Sequence, residues 1–449
     1  MLVPLILLSC SSRDELVCRD CSLILISIDT LRADHLGCYG YDRPTSPNID
    51  ALAERAVRFA NATSPSFRTA ESHMSMFTGV YPSVHGVMTA LDRSGRKTRV
   101  PDAIPVVTET LRRAGFTTAA FTGGGNVGPA FGFNRGMDTY DSVDEPSWRK
   151  TFERARAFVR TTSERYFLFI HTYHVHDPYL PDPPWRDAFD PGYAGNIEAD
   201  RAALVGSQGA DYWLAHDRFW ARVDGRLAAD VRHLAALYDG EIREVDDEIG
   251  SLLAASQPAR TVVVLTSDHG EQFGEHGGFL HDHIYEELTH VPLLIAGPTI
   301  PRGRTIEPRV SLVGLAPTLL DLLGIQSDPA AAYQVASLVP VVRGAAGPDA
   351  IFSERPDELA ALIWDGKKLI VPLAGRPAPL QLFDLASDPS EKHDVGQRAP
   401  YAAAMRARFA EIALSNRALR ERLVPPGAQQ PAVLDDATQQ QLRGLGYLR

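Results

Sequence analysis

Hydrophobic positions along the chain fall into short unbroken runs separated by amphipathic stretches. Leu23-Ile24-Leu25-Ile26-Ser27-Ile28, Tyr166-Phe167-Leu168-Phe169-Ile170, Thr261-Val262-Val263-Val264-Leu265-Thr266 and Val291-Pro292-Leu293-Leu294-Ile295 are such runs. Four to eight consecutive apolar, β-branched or aromatic residues predict strands buried on both faces. Helical spacing fills the intervals, as at 49–59 and 234–253. The alternation predicts an α/β fold, a mostly parallel sheet covered by helices.

Two regions break the alternation. Residues 181–231 are rich in Trp, Asp, Gly and Pro and carry no period, so they predict an insertion that shapes a pocket mouth. Past Gly347, Ala350-Ile351-Phe352, Ala361-Leu362-Ile363-Trp364, Lys368-Leu369-Ile370-Val371 and Leu380-Gln381-Leu382-Phe383 follow one another closely. Asp365-Gly366 between the second and third predicts a hairpin, and 401–419 predicts a helix. The chain thus divides into residues 1–21, a main α/β domain over 22–346, and a small antiparallel-sheet subdomain over 347–449.

Composition narrows the function classes. The 45 basic and 56 acidic residues leave a net charge of −11, which excludes a basic face for nucleic acid. No apolar run reaches the roughly 18–20 residues of a membrane span. Four cysteines cannot scaffold 449 residues. Cys18 and Cys21 precede the first strand with no second pair at zinc spacing, which predicts a local disulfide or two inert thiols. Cys38 reads as a packing residue. The start, Met1 to Leu7-Leu8-Ser9-Cys10, resembles a bacterial lipoprotein signal, although no basic residue precedes the apolar run. The expectation is lipidation at Cys10 and a polar tether. The protein would then sit in the bacterial cell envelope, periplasmic or extracellular, touching membrane only through that anchor.

The chemistry gathers at predicted strand ends. Asp29 and Thr30 follow the first strand, and Asp268 and His269 follow the strand ending Leu265-Thr266-Ser267. Ligands of parallel sheets collect beyond the carboxyl ends of strands. An isolated Asp there commonly caps a helix, but two of them beside a histidine-rich stretch predict a divalent cation site. Oxygen donors suit Ca²⁺, Mg²⁺ or Mn²⁺, and the imidazole admits Zn²⁺. Of 14 histidines, His269, His276, His281 and His283 are close neighbours, and His174 and His176 follow His171. Alternation on an extended segment would converge His281 with His283, and His174 with His176. His35, His233, His290 and His393 show no partner.

These residues resemble a known family. Asp29-Thr30-Leu31-Arg32-Ala33-Asp34-His35-Leu36-Gly37-Cys38-Tyr39-Gly40 and Thr45-Ser46-Pro47-Asn48-Ile49-Asp50 look like the opening of sulfatase-family hydrolases. Ser267-Asp268-His269-Gly270-Glu271, Gly274-Glu275-His276-Gly277 and Tyr285-Glu286-Glu287 look like its second metal-binding block. Leu237-Tyr238-Asp239-Gly240-Glu241-Ile242 and the tail Leu445-Gly446-Tyr447-Leu448 match further family phrases. The resemblance implies an alkaline-phosphatase-like fold, one divalent metal (calcium first, then manganese, magnesium or zinc) and hydrolysis of a small-molecule or glycan ester.

The family's nucleophile motif is Cys or Ser, x, Pro, Ser, Arg, four residues, Thr-Gly. Anchored on Thr78-Gly79, it places Thr69 at the nucleophile, Glu71 at Pro, Ser72 at Ser and His73 at Arg. A second register through Ser64 and Arg68 puts Thr-Gly five residues late. Oxidising the secondary alcohol of Thr gives a ketone, so no formylglycine is expected. Thr69 must act as a metal-activated alcohol, which favours phosphate or phosphonate esters beside sulfate esters. By resemblance Asp29, Asp268, His269 and Thr69 meet the metal, with Thr30 a further candidate. His176, in His176-Asp177-Pro178-Tyr179, protonates the leaving group or binds the anion. His281 stands where sulfatases carry a Lys, and His283 resembles the phosphonate-ester branch. Phe121-Thr122-Gly123-Gly124-Gly125-Asn126 replaces the family's Gly-Lys-Trp-His block. His in place of Arg and Lys predicts pH-sensitive anion binding. A second reading is a lipid-anchored, non-catalytic anion- or glycan-binding protein that kept the fold. A phosphoethanolamine-type transferase shares the Thr, but this sequence shows no membrane helices to present a lipid donor.

Overall fold

The computed structural model describes residues 16–89, 97–143, 147–205, 209–374, 376 and 378–444. Strand β1 (Ser22–Ile28) is buried along its whole length, as an unbroken apolar run requires. It lies within an eight-stranded sheet with β2 (Ala56–Phe59), β3 (Thr117–Thr122), β4 (Thr139–Ser142), β5 (Tyr166–Thr172), β6 (Thr261–Thr266), β7 (Leu293–Ala296) and β8 (Arg304–Ile306). The order is β8-β2-β7-β6-β1-β5-β3-β4. Only β7 runs against its neighbours β6 and β2; every other pairing is parallel. Ser27 pairs with His171 on one side and Thr266 on the other. The three central strands therefore end together, and whatever follows them shares one edge.

The framing helices are α1 (Pro47–Ala53), α2 (Thr69–Thr78), α3 (Arg149–Thr161), α4 (Ile197–Val205), α5 (Gly209–Arg222), α6 (Ala228–Ala255), α7 (Leu315–Leu323) and α8 (Ala402–Leu423). Alternation along β1 sends Leu23 and Leu25 to one face, against Met74 and Phe77 of α2 and Leu315 and Leu319 of α7. Ile24, Ile26 and Ile28 go to the other, against Leu52 of α1, Phe152 of α3 and Leu237 and Val245 of α6.

Three details correct the sequence expectations. The helix expected over 49–59 stops at Ala53, and Val57 and Arg58 pair with Ile295 and Leu294 in the sheet. The expected strand through Pro292 splits: His290–Val291 pairs with Ala62–Thr63, and Leu293 onward joins the main sheet. Proline donates no ladder hydrogen bond. The aperiodic insertion holds α4 and α5, fastened by the buried Ile197, Leu204 and Phe219. Anchors spaced as widely as these do not register as a period.

The C-terminal sheet is antiparallel, in the order β9 (Ala350–Arg355), β10 (Leu359–Trp364), β11 (Lys367–Pro372) and β12 (Gln381–Asp384). Asp365 and Gly366 adopt φ of 50° and 68°, the two left-handed residues a tight hairpin needs. Ser353 Oγ donates to the Ser64 carbonyl at 2.6 Å, and the Glu354 N–H to the Pro65 carbonyl at 2.8 Å. These bonds tie β9 to the loop before α2. Cys18 and Cys21 form a disulfide. Lipidation at Cys10 and the 445–448 tail lie outside the described residues. No described helix is long and apolar enough to cross a membrane.

Candidate active site

β1 runs directly into Asp29, whose N–H donates to the Thr172 carbonyl at 3.0 Å and so extends the sheet by one rung. β6 runs into Ser267, Asp268 and His269, all fully buried. Donor atoms of Asp29, Asp268 and His269 lie within 4.8 Å of one another. His269 Nδ1–H donates to the Gly270 carbonyl at 3.0 Å, which leaves Nε2 facing the acids, 3.4 Å from Asp268 Oδ2 and 3.8 Å from Asp29 Oδ1.

Asp29 Oδ1, both Asp268 carboxylate oxygens and His269 Nε2 are buried with no hydrogen-bond partner among the described residues. Buried unpaired acids cost several kcal/mol each unless paired or coordinated. Burial raises the Asp29 carboxyl, yet His171, His269 and His176 hold it at about 2. Burial and then the Asp29 charge push Asp268 well above the carboxylate range. Burial lowers His269 to about 4, so its ring is neutral at pH 7. Two carboxylates and one neutral imidazole, converging and orphaned, fit a hard divalent cation.

Thr69 opens α2 and is fully buried. Its Oγ1 lies 3.3 Å from Asp29 Oδ2. In the rival register, Ser64 would take the place of Thr69. Ser64 Oγ bonds the carbonyls of Asp268 and Ser66 and lies 3.0 Å from Ser72 Oγ. It braces the backbone of Asp268 and Ser66. Glu71 accepts from the Thr89 N–H at 3.0 Å and serves the fold.

Several expected residues take other roles. Thr30, a candidate ligand, donates its hydroxyl to the Val175 carbonyl at 2.7 Å and braces the loop after β5. Its φ of 56° turns it off the strand line. His73 donates from Nδ1 to the Thr69 carbonyl and accepts at Nε2 from Ser27 Oγ, both at 2.8 Å. Burial lowers it to about 3, so it does not replace the family's Arg charge; it positions the first turn of α2.

The histidine pairs do not converge. His281 stacks over His269 at 4.7 Å, whereas His283 stacks on Tyr285 at 3.9 Å, with His276 also stacked on Tyr285 at 3.7 Å. Leu280 has φ 65° and the chain bends through 281–283, so the two-residue period does not apply. His174 Nε2 bonds Glu244 at 2.6 Å and its ring stacks on Trp148, while His176 faces His281 at 5.0 Å between ring centres. Burial and the neighbouring His269 and His176 keep His281 well below the usual histidine range.

Two residues were missed as site members. His171 Nε2 lies 3.4 Å from Asp29 Oδ2. Its place at the end of a strand adjoining β1 was the available signal. Glu271, fully buried, has Oε1 3.4 Å from His281 Nδ1. Burial and then the Asp177 charge raise its carboxyl well above the usual range. Asp177 itself accepts from His216 Nε2 at 2.6 Å and Trp220 Nε1 at 2.8 Å, so α5 of the insertion steadies the His176 loop.

The Sulfatase family profile matches residues 22–325. Arylsulfatase K of Xenopus laevis is 35% identical over 191 residues, 38% of this chain and 35% of that protein. The matched stretch thus spans about a third of that relative's length. Choline-sulfatase of Rhizobium meliloti is 26% identical over 442 residues, covering 82% of this chain and 81% of that protein. The phosphonate monoester hydrolase of Agrobacterium radiobacter shares the fold, with a TM-score of 0.69 and 22% identity over 89% of this chain and 96% of that one. Because the matched span runs from β1 to just past α7 and takes in both strand ends that present Asp29, Asp268 and His269, the chain belongs to the sulfatase family.

Proposed function

We propose that the chain hydrolyses a sulfate- or phosphate-type ester, with Thr69 as nucleophile and Asp29, Asp268 and His269 holding one divalent cation. The observation that carries this reading is the 3.3 Å approach of Thr69 Oγ1 to Asp29, beside acid oxygens that have no other partner. Calcium is the first choice on the oxygen donors, with manganese, magnesium or zinc admitted by the imidazole. Bound there, the cation supplies Lewis-acid polarisation of the ester and a more acidic hydroxyl.

The chain's own residues supply the rest. Thr69 stands at the N-terminus of α2, where unpaired N–H groups and the helix dipole favour negative charge on the attacking oxygen and the ester anion. His73 fixes that turn through the Thr69 carbonyl. His176 Nδ1–H donates to the Asp177 carbonyl at 2.7 Å, which orients the ring for proton exchange with the leaving oxygen. His281 and Glu271 line the same wall.

Attack by Oγ1 forms an ester on Thr69 and expels the alcohol; water then attacks sulfur or phosphorus and frees the threonine. The second displacement is routine at phosphorus, so Thr in place of a formylglycine precursor favours a phosphate or phosphonate ester as the second reading. The Cys18–Cys21 disulfide suits an oxidising compartment and supports an envelope location with a lipid anchor at Cys10.

The test is turnover of matched aryl sulfate, phosphate monoester, phosphate diester and phosphonate by protein loaded with Ca²⁺, Mn²⁺ or Zn²⁺, beside Thr69→Ala. One ester class turned over, with a loss of roughly a thousandfold or more in Thr69→Ala, is expected. Full activity in that variant moves the nucleophile elsewhere. Cation binding with no turnover of any ester leaves a binding protein.

A further inference from the structure

Arg68, Asp282 and Arg355 form an ionic cluster beside the reacting centre that the proposed chemistry does not use. Arg68 caps α2 immediately before Thr69. Asp282 follows His281, whose ring stacks over the candidate ligand His269. Arg355 ends β9, and the bonds from Ser353 to Ser64 and from Glu354 to Pro65 set it against the same loop.

The burial of this cluster is inverted. Arg68 Nη2 meets Asp282 Oδ1 at 2.6 Å, and Arg355 Nη1 lies 4.0 Å from the same oxygen. Arg376 Nη1 donates to the Asp282 carbonyl at 2.7 Å and lies 3.9 Å from Oδ2. The Arg68 and Arg355 side chains are only 16% and 10% exposed, whereas Asp282 is 65% exposed. Cations thus sit inside and their anion stands in water. Ion pairs with so exposed a partner are weak.

The cations are also under-neutralised. Among the described residues four cations, Arg68, Arg355, Arg376 and Lys97, face three carboxylates: Asp282, Glu358, 2.7 Å from Arg355, and the buried Glu71, whose charge acts on both Arg355 and Lys97. Arg68 Nε and Arg355 Nε are buried without a hydrogen-bond partner among the described residues. Burial, and then the Arg68 charge, lower the Arg355 guanidinium below its ordinary value. Both charges also act on the His281 ring, and that of Arg68 on His269. Both guanidiniums therefore lie near enough to the His281 ring, and Arg68 to the His269 ring, for their charges to act there.

We propose that Arg68 and Arg355, assisted by Arg376, form a subsite for a second anionic group on the substrate, and that Asp282 fills this subsite until substrate displaces it. The preferred substrate is then an ester that carries a carboxylate, or a further sulfate or phosphate, near the scissile group. This inference deepens the hydrolase reading and rests on it for the position of the ester. A planar carboxylate or a tetrahedral oxyanion matches the arginine fork, and a charge-assisted bidentate contact to a buried guanidinium outweighs the exposed pair it replaces.

The test is calorimetric binding to metal-loaded Thr69→Ala protein. The probes are 4-nitrophenyl sulfate, its 2-carboxy analogue and 4-nitrocatechol disulfate, each run also as the phosphate. A carboxylated or doubly charged ester is expected to bind roughly tenfold or more tightly than the plain one. Tighter binding of the carboxy analogue alone assigns a carboxylate, and of the doubly esterified probe alone a second oxyanion. In a further Arg355→Ala change the affinity ratio falls below twofold, and Arg355→Lys restores part of it. Asp282→Asn, a change at an exposed position, raises affinity for the charged probes.

Equal affinity for plain and charged esters, binding of neither, or a ratio indifferent to Arg355→Ala overturns the proposal. If native protein hydrolyses no ester while the ratio behaves as expected, the hydrolase reading fails and the anion subsite stands. If it hydrolyses plain and charged esters alike with equal affinities, the subsite fails and the hydrolase reading stands.

Discussion

Replacing Asp268 by Asn reverses the order of stability between metal-free and metal-loaded protein. In the metal-free state Asp268 is fully buried, its oxygens have no partner among the described residues, and Asp29 repels its charge. Asp268→Asn removes that repulsion at the cost of burying an amide, about 1–3 kcal/mol. In chelator the variant should melt no lower than the wild type. With the cation present the order inverts. A ligand bound only by the folded state adds about 2.7 kcal/mol at a hundredfold excess over its dissociation constant. For a protein of this size that is a rise in Tm of about 3 °C. Asp268→Asn loses one of two carboxylates and should forfeit most of the rise. Thermal melts of both proteins in chelator and in millimolar Ca²⁺, Mn²⁺ or Zn²⁺ read the crossing directly. An equal cation-induced rise in wild type and variant would refute the assignment of Asp268 as a ligand.

Two further outcomes follow from buried charges of the C-terminal subdomain. Burial raises the Glu354 carboxyl to about 7, though it accepts from the Ser83 N–H at 2.8 Å. A carboxyl whose folded pKa exceeds its unfolded value of about 4.5 gives up stability as pH rises between the two. Glu354→Gln should gain up to about 3 kcal/mol at pH 8 and nothing at pH 4, read by urea midpoints across that range. Lys368 is buried between Glu286 and Glu391, 3.0 Å from each. Lys368→Met strands the buried Glu391, while Glu286 keeps Arg309 at 2.9 Å, and should cost about 3 kcal/mol in the same denaturant assay; an unchanged midpoint would contradict the pairing.

The sheet was legible because its central strands are buried on both faces, which forces continuous apolar runs such as Leu23–Ile28 and Thr261–Thr266. Asp29, Asp268 and His269 were legible for a related reason: polar residues that end such runs must share one edge. Side-chain direction was not. His281 and His283 were paired on the assumption of extended chain, which the bend after Leu280 breaks. Thr30 and His73 carry functional-looking chemistry, but nearby carbonyls claim their hydrogens, and only packing reveals that. His171 was overlooked because its significance depends on which strand neighbours β1. The helices α4 and α5 escaped detection because two short helices on a surface need few apolar anchors.

The bond from Ser353 to Ser64 joins residues 289 positions apart. During synthesis the loop that introduces Thr69 leaves the ribosome long before β9 exists to hold it. Strands β1 and β6 can pair as soon as β6 emerges, but the loop before Thr69 gains its brace from β9 only when the C-terminal sheet is made. A nascent chain stalled or truncated before residue 350 would therefore hold the acids in place while leaving the threonine loop unsecured.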